Sequence, residues 1–178
     1  ARKFHNAVLL ANGEVMIVGG NESGEKFQDH RSILPTEIWN PQTKKFRMTA
    51  DISIPRNYHS VALLMPDGRV FSAGGGLCGA CQTNHPDAQI YSPPYLFDEN
   101  GSIAVRPKIL LAPQRANIGQ TISVKTDQEI ISFSLIKTSS VTHSVNTDQR
   151  MIIPSFTAHG THQYHLEIKN NIHIMPPG

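Results

Sequence analysis

One pattern constrains this chain more than any other: residues 2–20 return, almost position for position, at 56–75. Arg2 matches Arg56, Phe4 matches Tyr58, His5 matches His59, Asn12-Gly13 matches Asp67-Gly68, and Gly19-Gly20 matches Gly74-Gly75, at spacings of 54 or 55 residues. Each copy holds two short β-prone runs around an Asn-Gly or Asp-Gly pair, the pairs that favour the positive φ of a tight hairpin turn. In the second copy the runs are 60–65 and 69–73. Further along each copy, Glu37-Ile38-Trp39-Asn40-Pro41 aligns with Gln89-Ile90-Tyr91-Ser92-Pro93 as a third strand. The same antiparallel unit is therefore built twice, and Trp39 and Tyr91 fall at equivalent packing positions in it.

A unit of about 50 residues with a hairpin, a double glycine and a later aromatic strand is the pattern of a kelch-type propeller blade. Two blades leave a ring open, since propellers close at about four to eight. The expectation is all-β: residues 1–105 as about two blades of a larger kelch propeller, whose remaining blades lie elsewhere in a longer parent chain. After Tyr91 the composition turns to Pro, Gly and Ser, and Arg106-Pro107 marks the boundary, because proline holds its predecessor extended. Beyond it six β-branched runs are expected, at 109–111, 121–125, 131–137, 151–156, 164–169 and 172–175. They suit an immunoglobulin-like sandwich over 106–178 that stops short of its last strand. The segment 120–153 lacks Gly and Pro but is rich in Ser, Thr, Val and Ile, which argues against a helix.

Charge excludes some partners. Sixteen Lys and Arg against fourteen Asp and Glu are scattered along the 178 residues, which builds no phosphate-tracking stripe for nucleic acid. The apolar runs are a handful of residues long, far short of a membrane span. Ala1-Arg2-Lys3-Phe4-His5 enters a strand directly, so any secretion signal is expected upstream.

Chemistry concentrates at the mouth of the second hairpin, where Tyr58 and His59 stand side by side. Neighbours in a strand point to opposite faces, so both reach one ion only if the backbone there is still loop. Another histidine, His143, lies in the polar stretch 141–150, read as a long loop between strands; loops often carry function, but a surface histidine in a turn is the plainer reading of this stretch by itself. Imidazole nitrogens with phenolate oxygen suit Cu(II), which takes tetragonal N and O surroundings. Cys78 and Cys81 allow a redox motif, half of a zinc site or a local disulfide. His159, His162 and His165 mimic a metal cluster, but strand directions alternate there and need not converge. His5 follows Phe4, which has no ligand atom, and reads as a blade-lining residue. Asn21-Glu22-Ser23 and Asn100-Gly101-Ser102 have the form of glycosylation acceptors.

Arg56-Asn57-Tyr58-His59-Ser60, Pro66 to Phe71, Gly74 to Cys81, Asp87 to Ile90 and Thr142 to Arg150, in that order, resemble the galactose oxidase and copper radical oxidase family. The resemblance implies a kelch propeller holding one copper near its axis, with an immunoglobulin-like domain that sends a histidine-bearing loop into the ring. It implies Tyr58 as axial tyrosine and proton acceptor, His59 and His143 as equatorial ligands, and Phe27, 31 residues before Tyr58, as a wall of the substrate pocket. It also implies a Cys78–Cys81 disulfide, which suits an extracellular, secreted protein. The radical cofactor, a tyrosine linked to a cysteine, is expected upstream of this chain, where O2 and a primary alcohol or sugar meet the copper. The fragment alone is then expected to be inactive as an oxidase. A non-catalytic kelch and sandwich module that binds carbohydrate or protein is the alternative, because many propellers only bind.

Overall fold

The computed structural model describes residues 1–176. Its chain order is β1 (Asn6–Leu9), β2 (Val15–Val18), β3 (Thr36–Asn40), β4 (Lys45–Thr49), β5 (Ser60–Leu64), β6 (Val70–Gly74) and β7 (Ala88–Tyr91). A 3-10 turn at Pro94–Leu96 follows, then β8 (Ile109–Leu111), β9 (Thr121–Thr126), β10 (Leu135–Ile136), β11 (Ser140–Thr142) and β12 (Val145–Thr147). The last strands are β13 (Met151–Ile152), β14 (Phe156–Ala158) and β15 (Gln163–Glu167). Every pairing among them is antiparallel. No helix of the described residues is long and apolar enough to cross a membrane.

The chain divides into two units, and the first is discontinuous: Ala1–Ser102 together with Thr138–Arg150. It contains a four-stranded sheet ordered β1-β2-β3-β4, a three-stranded sheet ordered β5-β6-β7, and the β11-β12 hairpin. Repeated sequence has become repeated register. Val8 pairs with Met16 and Ala62 with Ser72, each inside a hairpin closed at the Asn12-Gly13 or Asp67-Gly68 turn. Gly13 and Gly68 both take positive φ there, as such turns require.

Two arginines repeat a lock that the sequence shows only as a matched pair. Arg2 donates to the Gly19 carbonyl at 3.1 Å and to Glu37 Oε2 at 2.7 Å. Arg56, whose side chain is fully buried, donates to the Gly74 carbonyl at 3.0 Å and to Asp87 Oδ1 at 2.5 Å. In each sheet a guanidinium fastens the end of the second strand to a carboxylate near the third, and a bidentate fork does this better than an ammonium could. One apolar core, with Val8, Leu10, Met16, Val18, Ile38, Ala62 and Val70, joins the two sheets of this unit.

The second unit, Ile103–Lys137 with Met151–Gly178, pairs a sheet ordered β14-β15-β9-β8 with the short β10-β13 ladder. Val124, Tyr164 and Leu166 form its core, with Phe133 and Phe156 packed on Tyr164 edge-on at centroid distances of 5.2 and 5.7 Å. Tyr164 Oη accepts the Ile130 amide at 2.8 Å, which satisfies both groups inside the unit.

The structure alters four of the expected elements. The run 131–137 is strand only at Leu135–Ile136, and Ile131 is exposed. The run 151–156 breaks into β13 and β14 around Pro154, which has no amide to give a ladder. Residues 172–175 turn instead of extending, because Asn171 Oδ1 accepts the His173 amide at 2.9 Å and its carbonyl accepts the Met175 amide at 2.9 Å. Finally, the long loop expected at 141–150 is mostly a tight hairpin, β11-β12, turning on His143 and Ser144.

Candidate functional site

Tyr58 and His59 lie in a turn before β5, not in the strand, which removes the alternation that would point them apart. The Ser60 amide donates to the Asn57 carbonyl at 3.0 Å and His59 takes φ +68°, bending the chain so that both rings face one side. Their centroids are 4.1 Å apart. A non-glycine residue in this region costs about 1–2 kcal/mol, which the surrounding contacts must offset.

The β11-β12 hairpin carries the third ring. Thr142 pairs with Val145, so His143 and Ser144 are its two turn residues, at φ +53° and +62°. Both central residues of a two-residue turn of this hand need positive φ. No glycine marks the turn, which is why the sequence conceals it. The His143 centroid lies 4.8 Å from that of His59 and 5.5 Å from that of Tyr58. Residues 84 or 85 positions apart thus form one aromatic cluster, entirely within the first unit.

Hydrogen bonds orient the two imidazoles. His59 Nδ1 lies 2.6 Å from the Gly76 carbonyl oxygen, which can only accept, so Nδ1 carries the proton and Nε2 keeps its lone pair. His143 Nδ1 pairs with Thr142 Oγ1 at 2.7 Å. Gly76 reaches His59 because it has no side chain: at its φ of +85° a Cβ would lie 2.3 Å from the Thr83 carbonyl oxygen. The triple glycine was the available signal for this acceptor.

Phe27 is 43% exposed and stands beside the pair, 5.6 Å from Tyr58 and 5.9 Å from His59 between ring centroids. Asn57 fixes its loop by donating from Nδ2 to the Gln28 carbonyl at 3.1 Å and to Ser32 Oγ at 2.8 Å. On another side of Tyr58 lies Phe4, edge-on at 5.4 Å, and Lys26 Nζ sits 5.1 Å from the tyrosine ring centre. Sequence reasoning passed over Asn57, Thr142 and Lys26, none of which stands out by residue type.

The remaining candidates lie elsewhere. Cys78 and Cys81 are joined by a disulfide with a Cα separation of 5.6 Å, inside the usual range. His5 has its Nδ1 buried, and burial together with the Arg2 charge holds its pKa below the ordinary histidine value. In the second unit His159 and His165 stack at 4.7 Å, a pair that does not include His162. Among the described residues no three His, Cys, Asp or Glu side chains gather as a metal cage, so the aromatic cluster counts as a donor set only through its phenol.

Two imidazoles that share an ion at about 2 Å per bond hold their ring centres roughly 4–6 Å apart. The His59 and His143 ring centres are 4.8 Å apart, within that range, and imidazole and phenol are donor types that copper takes.

Known proteins resemble this chain along its length. Residues 106–178 match the model of the galactose oxidase-like early set domain. Galactose oxidase of Gibberella zeae is 44% identical over the whole chain, which covers 26% of that protein. The aldehyde oxidase GLOX1 of Arabidopsis thaliana is 28% identical over 86% of the chain, which covers 28% of it. A solved structure described as a fungal alcohol oxidase of the AA5 family in complex with copper superposes on 99% of the chain with a TM-score of 0.95 at 40% identity, and the chain covers 38% of it. The chain therefore spans about a quarter of the length of the curated relatives it matches. With a galactose oxidase-like early set domain at residues 106–178 and 44% identity to a galactose oxidase along its whole length, the chain resembles the galactose oxidase family.

Proposed function

We propose that this chain is the copper-binding C-terminal part of a secreted copper radical oxidase that converts a primary alcohol, galactose-like, to an aldehyde while reducing O2 to H2O2. The observation that carries this reading is the convergence of Tyr58, His59 and His143, with the His59 and His143 centroids 4.8 Å apart. Residues 1–105 are on this reading two kelch blades of a ring completed by the rest of the parent protein, and 106–178 the immunoglobulin-like domain. The repeated strand order β1-β2-β3 and β5-β6-β7 supports the blades, and the early set match supports the second assignment.

Tyr58 Oη, His59 Nε2 and a nitrogen of His143 would hold the ion. Copper bound there supplies a one-electron couple, and the second equivalent belongs to a tyrosine–cysteine cofactor outside this chain. The chain's own residues have three tasks. His59 and His143 donate as neutral imidazoles, His59 with its proton kept on Nδ1 by the Gly76 carbonyl. Tyr58 would receive the substrate hydroxyl proton at its phenol oxygen, as a general base. Phe27 offers an apolar face for the carbon skeleton beside the tyrosine ring and, with Phe4, keeps water off that ring. The disulfide supports an oxidising, extracellular setting.

The test is a copper titration of the parent protein and its His143→Ala variant. The expected result is at least tenfold weaker binding and loss of alcohol-dependent oxygen uptake. Unchanged affinity and stoichiometry would favour a carbohydrate- or protein-binding module and end the oxidase reading.

A further inference from the structure

We infer that Gln149 is a positioning residue that sets where His143 stands, by acting as a substitute strand on the free side of β1. The inference rests on the copper reading above. β1 is the outer strand of its sheet, bonded to β2 on one side only. In an antiparallel pair, alternate residues turn both backbone groups toward the partner. Ala7 and Leu9 are therefore left with a carbonyl and an amide aimed away from β2. Gln149 meets both: Leu9 N donates to Oε1 at 2.7 Å, and Nε2 donates to the Ala7 carbonyl at 2.9 Å. One carboxamide thus stands in for a peptide unit of a neighbouring strand. The same Nε2 also reaches the Asn146 carbonyl at 3.3 Å, which ties β12 directly to β1.

Two weaker ties locate the opposite side of the hairpin. Asn146 Nδ2 donates to the Ala62 carbonyl of β5 at 3.1 Å, and Ser144 Oγ donates to the Asn57 carbonyl at 3.3 Å, next to Tyr58. Each is a single bond. Of these three ties, the one through Gln149 alone offers donor and acceptor together, and so fixes orientation as well as distance. The tip needs such outside support, because His143 and Ser144 both sit at positive φ without being glycine. Removing the carboxamide frees the base of the hairpin from β1, and the imidazole at its tip swings relative to His59 while the core residues stay packed.

The experiment compares the parent protein with Gln149→Ala, Gln149→Glu and His143→Ala variants by copper titration, Cu(II) electron paramagnetic resonance and amide hydrogen exchange. Gln149→Ala is expected to keep one copper per chain but bind it about 10- to 100-fold more weakly, the usual effect of losing a residue that orients a ligand. Its nitrogen hyperfine pattern should change and the Leu9 amide should exchange faster. Gln149→Glu keeps the acceptor for Leu9 N and loses the donor, so its affinity should fall between the two. Wild-type affinity and spectrum in Gln149→Ala, with weakened binding in His143→Ala, overturns the clamp alone. Wild-type behaviour in both overturns the copper reading and the clamp with it. Should Gln149→Ala fail to fold, wild-type affinity in Gln149→Glu overturns the proposal and a partial loss supports it.

Discussion

Gly19, Gly74 and Gly79 adopt almost the same backbone, at φ +71°, +71° and +72°, yet a methyl group added to each would meet different surroundings. At Gly19 the new Cβ would sit 2.1 Å from the Arg56 carbonyl oxygen and 2.7 Å from Arg56 Cβ. At Gly74 the nearest atom, the His59 carbonyl oxygen, is 3.4 Å away, and at Gly79 nothing lies within 4 Å. The left-handed backbone costs a substituted alanine about 1–2 kcal/mol, a contribution all three variants share. Gly19→Ala must also push back a main-chain carbonyl, an overpacking cost of about 1–3 kcal/mol. It loses the bond from the Gly20 amide to that same oxygen, 2.8 Å long, worth about 1 kcal/mol. Gly19→Ala should therefore be about 2–4 kcal/mol less stable than Gly79→Ala, with Gly74→Ala close to the latter. Trp39, the chain's single tryptophan, lies in β3, which pairs with the β2 strand that Gly19 directly follows, so urea unfolding followed by its fluorescence reads the difference directly. If Gly19→Ala and Gly79→Ala melt within about 0.5 kcal/mol of each other, close approach between the two repeats is not what reserves position 19 for glycine.

Three further outcomes are expected. Glu14, hydrogen-bonded by Arg47 and also by Asn12 and Asn40, has its pKa held down to about 2. A depressed carboxylate stabilises the fold above the ordinary glutamate pKa and loses that contribution as pH falls from there through about 2, so Arg47→Ala should flatten the acid limb of a stability–pH profile. Allowing for the half-exposed Arg47, the loss near neutral pH is about 1–2 kcal/mol. Tyr164→Phe strands the Ile130 amide and should cost the second unit about 1–2 kcal/mol in a thermal melt, with no effect on copper titration. Expressed through a secretory route, the chain should carry glycan at Asn100, on an exposed turn, and none at Asn21, which is fully buried and bonded through both amide atoms; peptide mass mapping after glycosidase treatment reads each site.

Elements whose turn chemistry is written in glycine were legible. The Asp67-Gly68 hairpin and the third strands follow from local residue type and from the repeat. β4 was passed over because Phe46 and Met48, its alternating apolar residues, are each 60% exposed among Lys and Arg, and so give no burial pattern. The β11-β12 hairpin hid for a different reason: its turn places histidine and serine where glycine or asparagine is usual, and only tertiary contacts hold them there. Of the candidate site, the Tyr58-His59 turn could be argued from the need for two neighbours to face one way. The role of His143 came from motif resemblance, since no periodicity links residues 84 positions apart. The arginine locks and the Gln149 clamp are carried by long-range hydrogen bonds, which no local pattern encodes.

The discontinuity of the first unit also imposes an order on its birth. A ribosome delivers Tyr58 and His59 first, then must make the next eighty-odd residues before His143 emerges. Until that later hairpin docks, Tyr58 and His59 lack their third aromatic neighbour, and on the copper reading proposed above no ion could meet all three donors before then.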